Sequence, residues 1–286
     1  MKYQFIAEHE QAYSVKRMCQ VLGVRRSGYY AWKRRPVSER EQANSDLMDK
    51  IRQAFAISRG TYGSVRIRRY WQRKGYSFSR HRIGRLMKKA HLIPLKATQW
   101  HPRTTQPRPG ARIAPNVLNQ EFQAARPNEK WVGDITYIDT AEGWLYLATL
   151  LDLYSRRVVG WSMAERIDAS LVEKAWKMAL FQRRPPAYLL HHSDRGSQYT
   201  SETYLQLLTE AHCTLSMSRS GNCYDNAVME SFYATLKTEC AYYQFASKAE
   251  ARSTLFEFIE VWYNRQRLHS SLGYLSPSDF EKSSGH

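Results

Sequence analysis

The chain has 286 residues, with 43 Lys+Arg against 26 Asp+Glu and a formal net charge of +17. That length suits two domains, or one domain with a large appendage, and 43% hydrophobic residues supply a real core. No run approaches the roughly 20 apolar residues needed to span a bilayer, the opening M-K-Y-Q-F-I-A-E-H-E does not read as a signal peptide, and four cysteines without a C-x-x-C pair argue against a structural zinc site.

The charge is uneven. Residues 1–120 hold 26 Lys+Arg and 6 Asp+Glu, whereas 121–286 hold 17 and 20, so a half of +20 precedes one of −3. A basic half joined to a mildly acidic one suggests a nucleic-acid grip attached to an acidic catalytic body. Reduced thiols fit a cytoplasmic, nucleoid-associated protein with no membrane partner.

Residues 13–34 come first. Val15, Met18, Cys19 and Leu22 recur at helical spacing, Gly23 breaks the helix, and Ser27 is placed to cap a second one. This is a helix-turn-helix pattern with Arg25, Arg26, Lys33, Arg34 and Arg35 near its second helix, although a plain helical hairpin gives the same pattern. A second helical block runs from about residue 44 to residue 92, where Leu47, Ile51, Ala54 and Phe55 make one apolar stripe. R-G-T-Y-G-S, residues 59–64, reads as a turn with Ser64 as cap, and 65–74 as a helix dense in arginine, including Arg66 and Arg68. Ser79 then caps a helix with Ile83, Leu86 and Met87 inward and Arg80, Arg82, Arg85, Lys88 and Lys89 outward. Such a basic face suits phosphate contact. Pro94, Pro102, Pro107, Pro109 and Pro115 then mark a basic linker.

The character changes after the linker. Residues 131–139, 145–154 and 157–164 read as three meandering strands, with a turn at 142–144. A helix over 169–182, a strand over 188–192, a helix over 201–211 and a strand over 214–217 follow, then helices over 226–242 and 248–265. This order predicts an α/β fold, a ribonuclease H-like (integrase catalytic core) mixed sheet flanked by helices, preceded by an all-α basic region. The expected organisation is a helix-turn-helix-like segment over 1–40, a helical basic DNA-binding region over 41–93, a Pro-rich linker over 94–122 and the core over 123–286.

Three carboxylates stand out on that frame. Asp134 lies mid-strand in W-V-G-D-I-T-Y-I, sharing a face with Val132, Thr136 and Ile138. A lone Asp among apolar neighbours is costly to bury unless paired or metal-bound. Asp194 ends L-L-H-H-S-D at a strand terminus, a common place for ligands in α/β sheets. Glu230 lies in D-N-A-V-M-E-S-F-Y, on one helix face with Asn226 and Lys237. Lys237 is then placed to reach a phosphate held beside the carboxylates. Taken singly, each acid has an ordinary alternative as a turn or surface residue. Asp139 reads as a strand-end turn residue, Asp225 as a helix cap, and Asp152 either as support for the site or as a partner of Arg156 or Arg157. His191 and His192 face opposite ways, so they do not read as a pair of ligands.

The quoted segments resemble insertion-sequence transposases of the IS-three group over nearly the whole chain. The match runs through R-G-T-Y-G, R-P-N-E-K-W-V-G-D-I-T-Y-I, the long segment 143–161, H-H-S-D-R-G-S-Q-Y-T, S-R-S-G-N-C-Y-D-N-A-V-M-E-S-F and Y-N-R-Q-R-L-H-S-S-L-G-Y-L-S-P. The resemblance implies a DDE triad, Asp134, Asp194 and Glu230, with 35 residues between its last two members. It also implies two Mg²⁺ or Mn²⁺ ions, cleavage at terminal inverted repeats and strand transfer into target DNA. The implied partners are further copies of the chain on DNA and an upstream-frame helix-turn-helix protein, separate or fused. In this reading Asp134 bridges both ions while Asp194 and Glu230 each complete one. Two rival readings share features with it: a ribonuclease H-like or resolvase-type nuclease, and a DNA-binding regulator with an inactive core.

Overall fold

The computed structural model describes residues 1–36, 38–95, 113–220 and 222–283, Cys223 by its backbone alone. They form two compact units, Met1–Gln53 and Ala54–His286.

The first unit holds α1 (Lys2–His9), α2 (Val15–Val21), α3 (Arg26–Arg34) and most of α4 (Glu39–Ile57). Ile6, Met18, Cys19 and Tyr29 form a small buried core, with Tyr3, Ala7, Val15, Leu22 and Val24 packed around it. Gly23 turns the chain at φ +63°, the left-handed region that glycine enters without a Cβ clash. The helix after it starts earlier than Ser27 predicts: Arg25 is the N-cap, and its carbonyl accepts from Tyr29 N–H.

In the second unit, α5 (Ser64–Gln72) and α6 (Arg80–Lys89) bury Ile67, Trp71, Ile83, Leu86 and Met87. Gly63 rather than Ser64 caps α5, and Ser79 stands at the N-cap of α6 without a side-chain bond. This helical pair is tied to the C-terminal part of the same unit. Leu268 N–H donates to the Tyr62 hydroxyl at 2.8 Å, and Arg59–Glu257 and Arg73–Asp279 ion pairs close at 2.6 Å.

Of the Pro-rich stretch, residues 96–112 lie outside the described residues. Its end lies beside the sheet: Leu118 is buried and its N–H donates to Ser216 Oγ, while Met217 N–H donates to the Pro115 carbonyl.

Five strands form one sheet: β1 (Lys130–Ile138), β2 (Leu145–Asp152), β3 (Val158–Ala164), β4 (Leu190–Ser193) and β5 (Thr214–Met217), in the order β3-β2-β1-β4-β5. The first three are antiparallel, and β4 and β5 add on parallel beyond β1. This is the expected mixed sheet. β1 is central, with partners on both sides.

Helices cover both faces. α7 (Ala169–Arg183) packs on β2 and β3, with α8 (Glu202–Glu210) beside it. A Cβ on Gly160 would run into the Ala175 carbonyl and come within 2.7 Å of Ala179 Cβ, so glycine lets α7 lie directly on β3. The main core, including Trp131, Leu150, Val159, Trp176 and Tyr204, fills this side. Trp161 follows Gly160 and faces the other way. Its Nε1–H donates to Glu260 at 2.8 Å, in the segment after α10 (Lys248–Phe256), and α9 (Ala227–Glu239) packs against β1.

The expected helix over 248–265 is not uniform. It widens into a π-helix over Glu257–Tyr263, and Asn264 follows. The Asn264 amide donates to the Val158 carbonyl at 2.9 Å and accepts from Val158 N–H at 3.0 Å, so one side chain satisfies both backbone groups of a residue on the edge strand. Three residues on, Arg267 makes a buried two-pronged ion pair with Glu239 at the end of α9, which also accepts from Trp262 Nε1–H at 3.0 Å. A last helix, α11 (Pro277–Ser283), brings Glu281 to Ser155, Arg157 and Arg183.

Breaking one side of a buried pair leaves the other charge stranded. Arg267→Ala is expected to lower unfolding free energy by about 3–5 kcal/mol, read from the urea midpoint. A loss within error of zero would show that water reaches Glu239.

Candidate active site

The strand register builds the site. Lys130, Trp131 and Val132 of β1 stand opposite Leu190, His191 and His192 of β4. The ladder ends there, and just past it the Asp194 carboxylate lies near enough to Asp134 to raise its pKa. Asp134 is mid-strand and opposite Thr149 of β2. Asp194 is the first residue past β4, and its Oδ1 accepts from Gly196 N–H at 2.9 Å.

The glutamate arrives on α9. Thr149 shares the face of Asp134, and its Oγ1 lies 2.8 Å from the Tyr233 hydroxyl. That hydroxyl donates to the Asp134 carbonyl at 2.5 Å. Tyr233 therefore pins α9 to the middle of β1. Glu230 and Lys237 stand one turn to either side of it on the same helix face. The Glu230 side chain is exposed and Lys237 is half-buried.

The charges sense one another. The Asp134 carboxyl is pushed well above the usual carboxylate range, first by desolvation, then by Asp194, with Glu230 adding to the effect. Ile135 N–H, 2.8 Å from Oδ1, and the Lys237 ammonium pull it back. The residue keeps some solvent access, but dense surroundings strip water from its carboxyl. Lys237 is lowered by burial, with Asp134 acting against that shift. Asp134, Asp194, Glu230 and Lys237 thus form one electrostatic group. Among the described residues, no three His, Cys, Asp or Glu side chains stand close enough to hold a metal ion as they are. The donor chemistry nonetheless fits magnesium or manganese, because all three acids offer hard carboxylate oxygens.

The histidines are structural. His191 Nε2 lies 2.9 Å from the Tyr204 hydroxyl, and His192 bridges Ser216 and Ser218 at 2.8 and 3.1 Å. Burial drives them down to about 3 and about 4, so both stay neutral. The Asp225 reading as a helix cap is overturned. Asn226 caps α9, and Asp225 is buried in an ion pair with Arg219 at 2.8 Å and takes a bond from Gln120, which holds its carboxyl well below the usual range. Asp139 is exposed at its strand end and accepts from Gln244.

Asp152 meets Arg156 and Arg157 through backbone bonds rather than an ion pair: Arg156 N–H donates to the Asp152 carbonyl at 2.8 Å, and Asp152 N–H donates to the Arg157 carbonyl at 2.9 Å. The buried Asp152 carboxylate accepts from Asn128 and Tyr154 N–H, with Arg183 at 3.6 Å. Arg66 also departs from the open basic face: its guanidinium rests over the Tyr62 ring at 5.7 Å, and desolvation lowers its pKa. Arg68, Arg85, Lys88 and Lys89 are exposed, and Arg82 is half-buried. Tyr233 and Thr149 were not singled out from sequence. The spacing of Tyr233, three residues after Glu230, was the available signal.

Desolvation raises Asp152 to about 6, against the backbone bonds that lower it. A raised acid stabilises the fold fully below its unfolded pKa of about 3.9 and loses that contribution as pH rises through the folded value. The parent should therefore gain stability relative to Asp152→Asn as pH falls from 7 to 4, measured by urea unfolding. A pH-independent difference would contradict the raised value.

The chain matches the integrase core domain family over residues 124–223, a second integrase core domain family over 211–277, and an HTH-like domain family over 41–97. It is 46% identical over 266 residues to the 31 kDa protein of insertion element IS600 from Shigella sonnei, covering 93% of this chain and 97% of that one. It is 42% identical over 284 residues to transposase InsF for insertion sequence IS3A from Escherichia coli strain K12, covering 98% of each. Among solved structures, the HTLV-2 integrase catalytic core domain in complex with magnesium is similar at 16% identity and a TM-score of 0.44, over 55% of this chain and 99% of that one.

Proposed function

This chain belongs to the insertion-sequence transposases of the IS3 family, and from that premise we propose that Asp134, Asp194 and Glu230 are its catalytic carboxylates for cutting DNA at element ends and joining the cut strands to target DNA. The observation that carries this is that Asp134, desolvated in the middle of β1, lies in the electrostatic field of both Asp194 and Glu230. Like charges gathered in a desolvated pocket call for cations. Two divalent ions, Mg²⁺ or Mn²⁺, held by these carboxylates would activate the attacking oxygen and neutralise the leaving one.

The chain's own groups have distinct tasks. Asp134 sits mid-strand on the rigid sheet, Asp194 follows the end of β4, and together they would define the pocket floor. Glu230 is exposed on a helix that is itself pinned at Tyr233, so its side chain is the member free to swing and complete the set. Lys237 sits in the field of Asp134 and positions the DNA phosphate beside the carboxylates. Arg68, Arg82, Arg85, Lys88 and Lys89 grip phosphates further along the duplex. Joining brings element ends together, so the working particle is a homo-oligomer on DNA, assisted by an upstream-frame helix-turn-helix protein, separate or fused. A plain nuclease reading accounts for the acids but not for relatives matched along the whole chain. A regulator with an inactive core conflicts with the presence of all three acids.

Asp134→Asn, Asp194→Asn and Glu230→Gln are each expected to abolish Mg²⁺-dependent joining of pre-cleaved duplex ends to plasmid, with the fold intact by circular dichroism. Near-parental joining by any one of them would remove that residue from the triad.

Lys237→Ala should slow joining more than about tenfold, the equivalent of about 1.4 kcal/mol in the transition state, while Lys237→Arg keeps the charge and part of the rate. Equal rates for Lys237→Ala and the parent at every salt concentration would place the ammonium outside the DNA path.

A further inference from the structure

We propose that residues 1–36 form a second reader of double-stranded DNA, separate from the HTH-like domain at 41–97, and that the outer face of α3 enters the major groove. The segment has the parts of a helix-turn-helix. α2 and α3 are joined by the four residues 22–25, and α1 crosses them over a core of Ile6, Met18, Cys19 and Tyr29.

The inner face of α3 is committed to packing. Gly28 has no Cβ, and one added there would strike the Tyr3 hydroxyl, so α1 lies close against it. The Tyr3 ring also meets that of Trp32 at 5.9 Å. Glu10, just past α1, accepts from the Tyr29 hydroxyl at 2.5 Å and from Lys33 Nζ at 2.5 and 2.6 Å. These contacts fix the rotation of α3 about its own axis.

The outer face is what that rotation presents. Arg26, Ser27, Tyr30, Ala31 and Arg34 follow one another at helical spacing, and all are exposed. Small side chains, Ser27 and Ala31, sit between the two arginines and allow close approach to base edges. Arg26 and Arg34 are eight residues apart, about 12 Å along the helix, a span of three to four base pairs at about 3.4 Å each. Residues 1–36 carry 8 Lys+Arg against 2 Asp+Glu, and one of those acids, Glu10, is already paired with Lys33. A convex, basic helix with arginines at both ends fits the concave, acceptor-rich major groove. It offers no cleft in which a peptide would lie.

The inference rests on the reading that this chain acts on DNA, but it is tested where cutting and joining are switched off. The full-length protein is bound in EDTA to a pool of duplexes with a randomised core of roughly three helical turns, about 30 base pairs, and bound sequences are recovered. The parent is expected to enrich a motif of more than one block. Arg26→Ala/Arg34→Ala should enrich the same motif without one block of about three to four base pairs, and bind the parent's best duplex about ten- to a hundredfold more weakly. Arg26→Lys keeps the phosphate attraction but not the two-pronged base contact, so it should blur that block and leave affinity for scrambled duplex unchanged. Both arginines are exposed, and unchanged circular dichroism excludes misfolding. An identical motif and affinity for the double variant would overturn the proposal. So would a loss equal on selected and scrambled duplexes, which marks non-specific charge alone. A parental preference for duplex RNA over DNA that vanishes in the variant would overturn it too. A chain that keeps the complete motif but never joins ends in Mg²⁺ would instead refute the catalytic reading and leave this one standing.

Discussion

The parallel pairing of β1 with β4 is the constraint on which the rest of the molecule turns. It carries the chain end of β4, and with it Asp194, into the field of Asp134 on β1, and it leaves Asp134 in a place where an isolated anion is unstable. An arrangement that costs folding energy in the absence of a cation persists only if the surrounding structure over-determines it. The antiparallel ladder to β2 and the packed core under α7 supply that rigidity, because neither can shift register without turning a buried face outward.

The third acid is held differently. α9 is secured at two points, through Tyr233 on the Asp134 carbonyl and through Glu239 in the buried pair with Arg267. A buried ion pair is weak evidence for net stability, but its geometry is demanding. Arg267 lies on the segment that follows the π-helix, so the irregular turn and the Asn264 clamp on β3 set where α9 ends. The same segment meets α5 through the Tyr62–Leu268 bond. The helix carrying Glu230, the edge of the sheet and part of the basic helical region therefore share one set of contacts.

Much of this was legible in the sequence. The five strands announce themselves by apolar runs and turn residues, and Asp134 and Asp194 stand out because a carboxylate in or just past a buried strand is conspicuous. What escaped is non-local. Nothing near Asp152 signals that its partner is Arg183 on α7, and Asp225 looks like a helix cap until Arg219 folds back on it. Arg66 belongs to a basic run by composition but is partly buried by position, because the i, i+4 spacing of buried Ile67 and Trp71 does not say how far a neighbouring side chain leans inward. Helix starts moved because serine at a turn is only one way to begin a helix: Gly63 and Arg25 cap with extended backbone and no side-chain bond. The short helices α1 and α11 carry too few turns for periodicity to register.

The charge asymmetry takes on a more exact meaning from these contacts. Part of the basic half is spent internally: Lys33 on Glu10, Arg59 on Glu257, Arg73 on Asp279, and Arg66 over Tyr62. Among the described residues the outward basic groups include Arg80, Arg85, Lys88 and Lys89 on α6 and Arg26 and Arg34 on the outer face of α3. That distribution suits the chemistry of the core. Under the proposed function, the carboxylates of the core would repel a polyanion, so DNA would have to be held by positive charge elsewhere. Electrostatic attraction to exposed arginines and lysines falls steeply with salt, whereas cations held in a desolvated pocket would be screened far less. On the proposed reading, binding and chemistry would therefore respond differently to ionic strength, the basic helices governing capture and the carboxylates what happens to the strand once it is held.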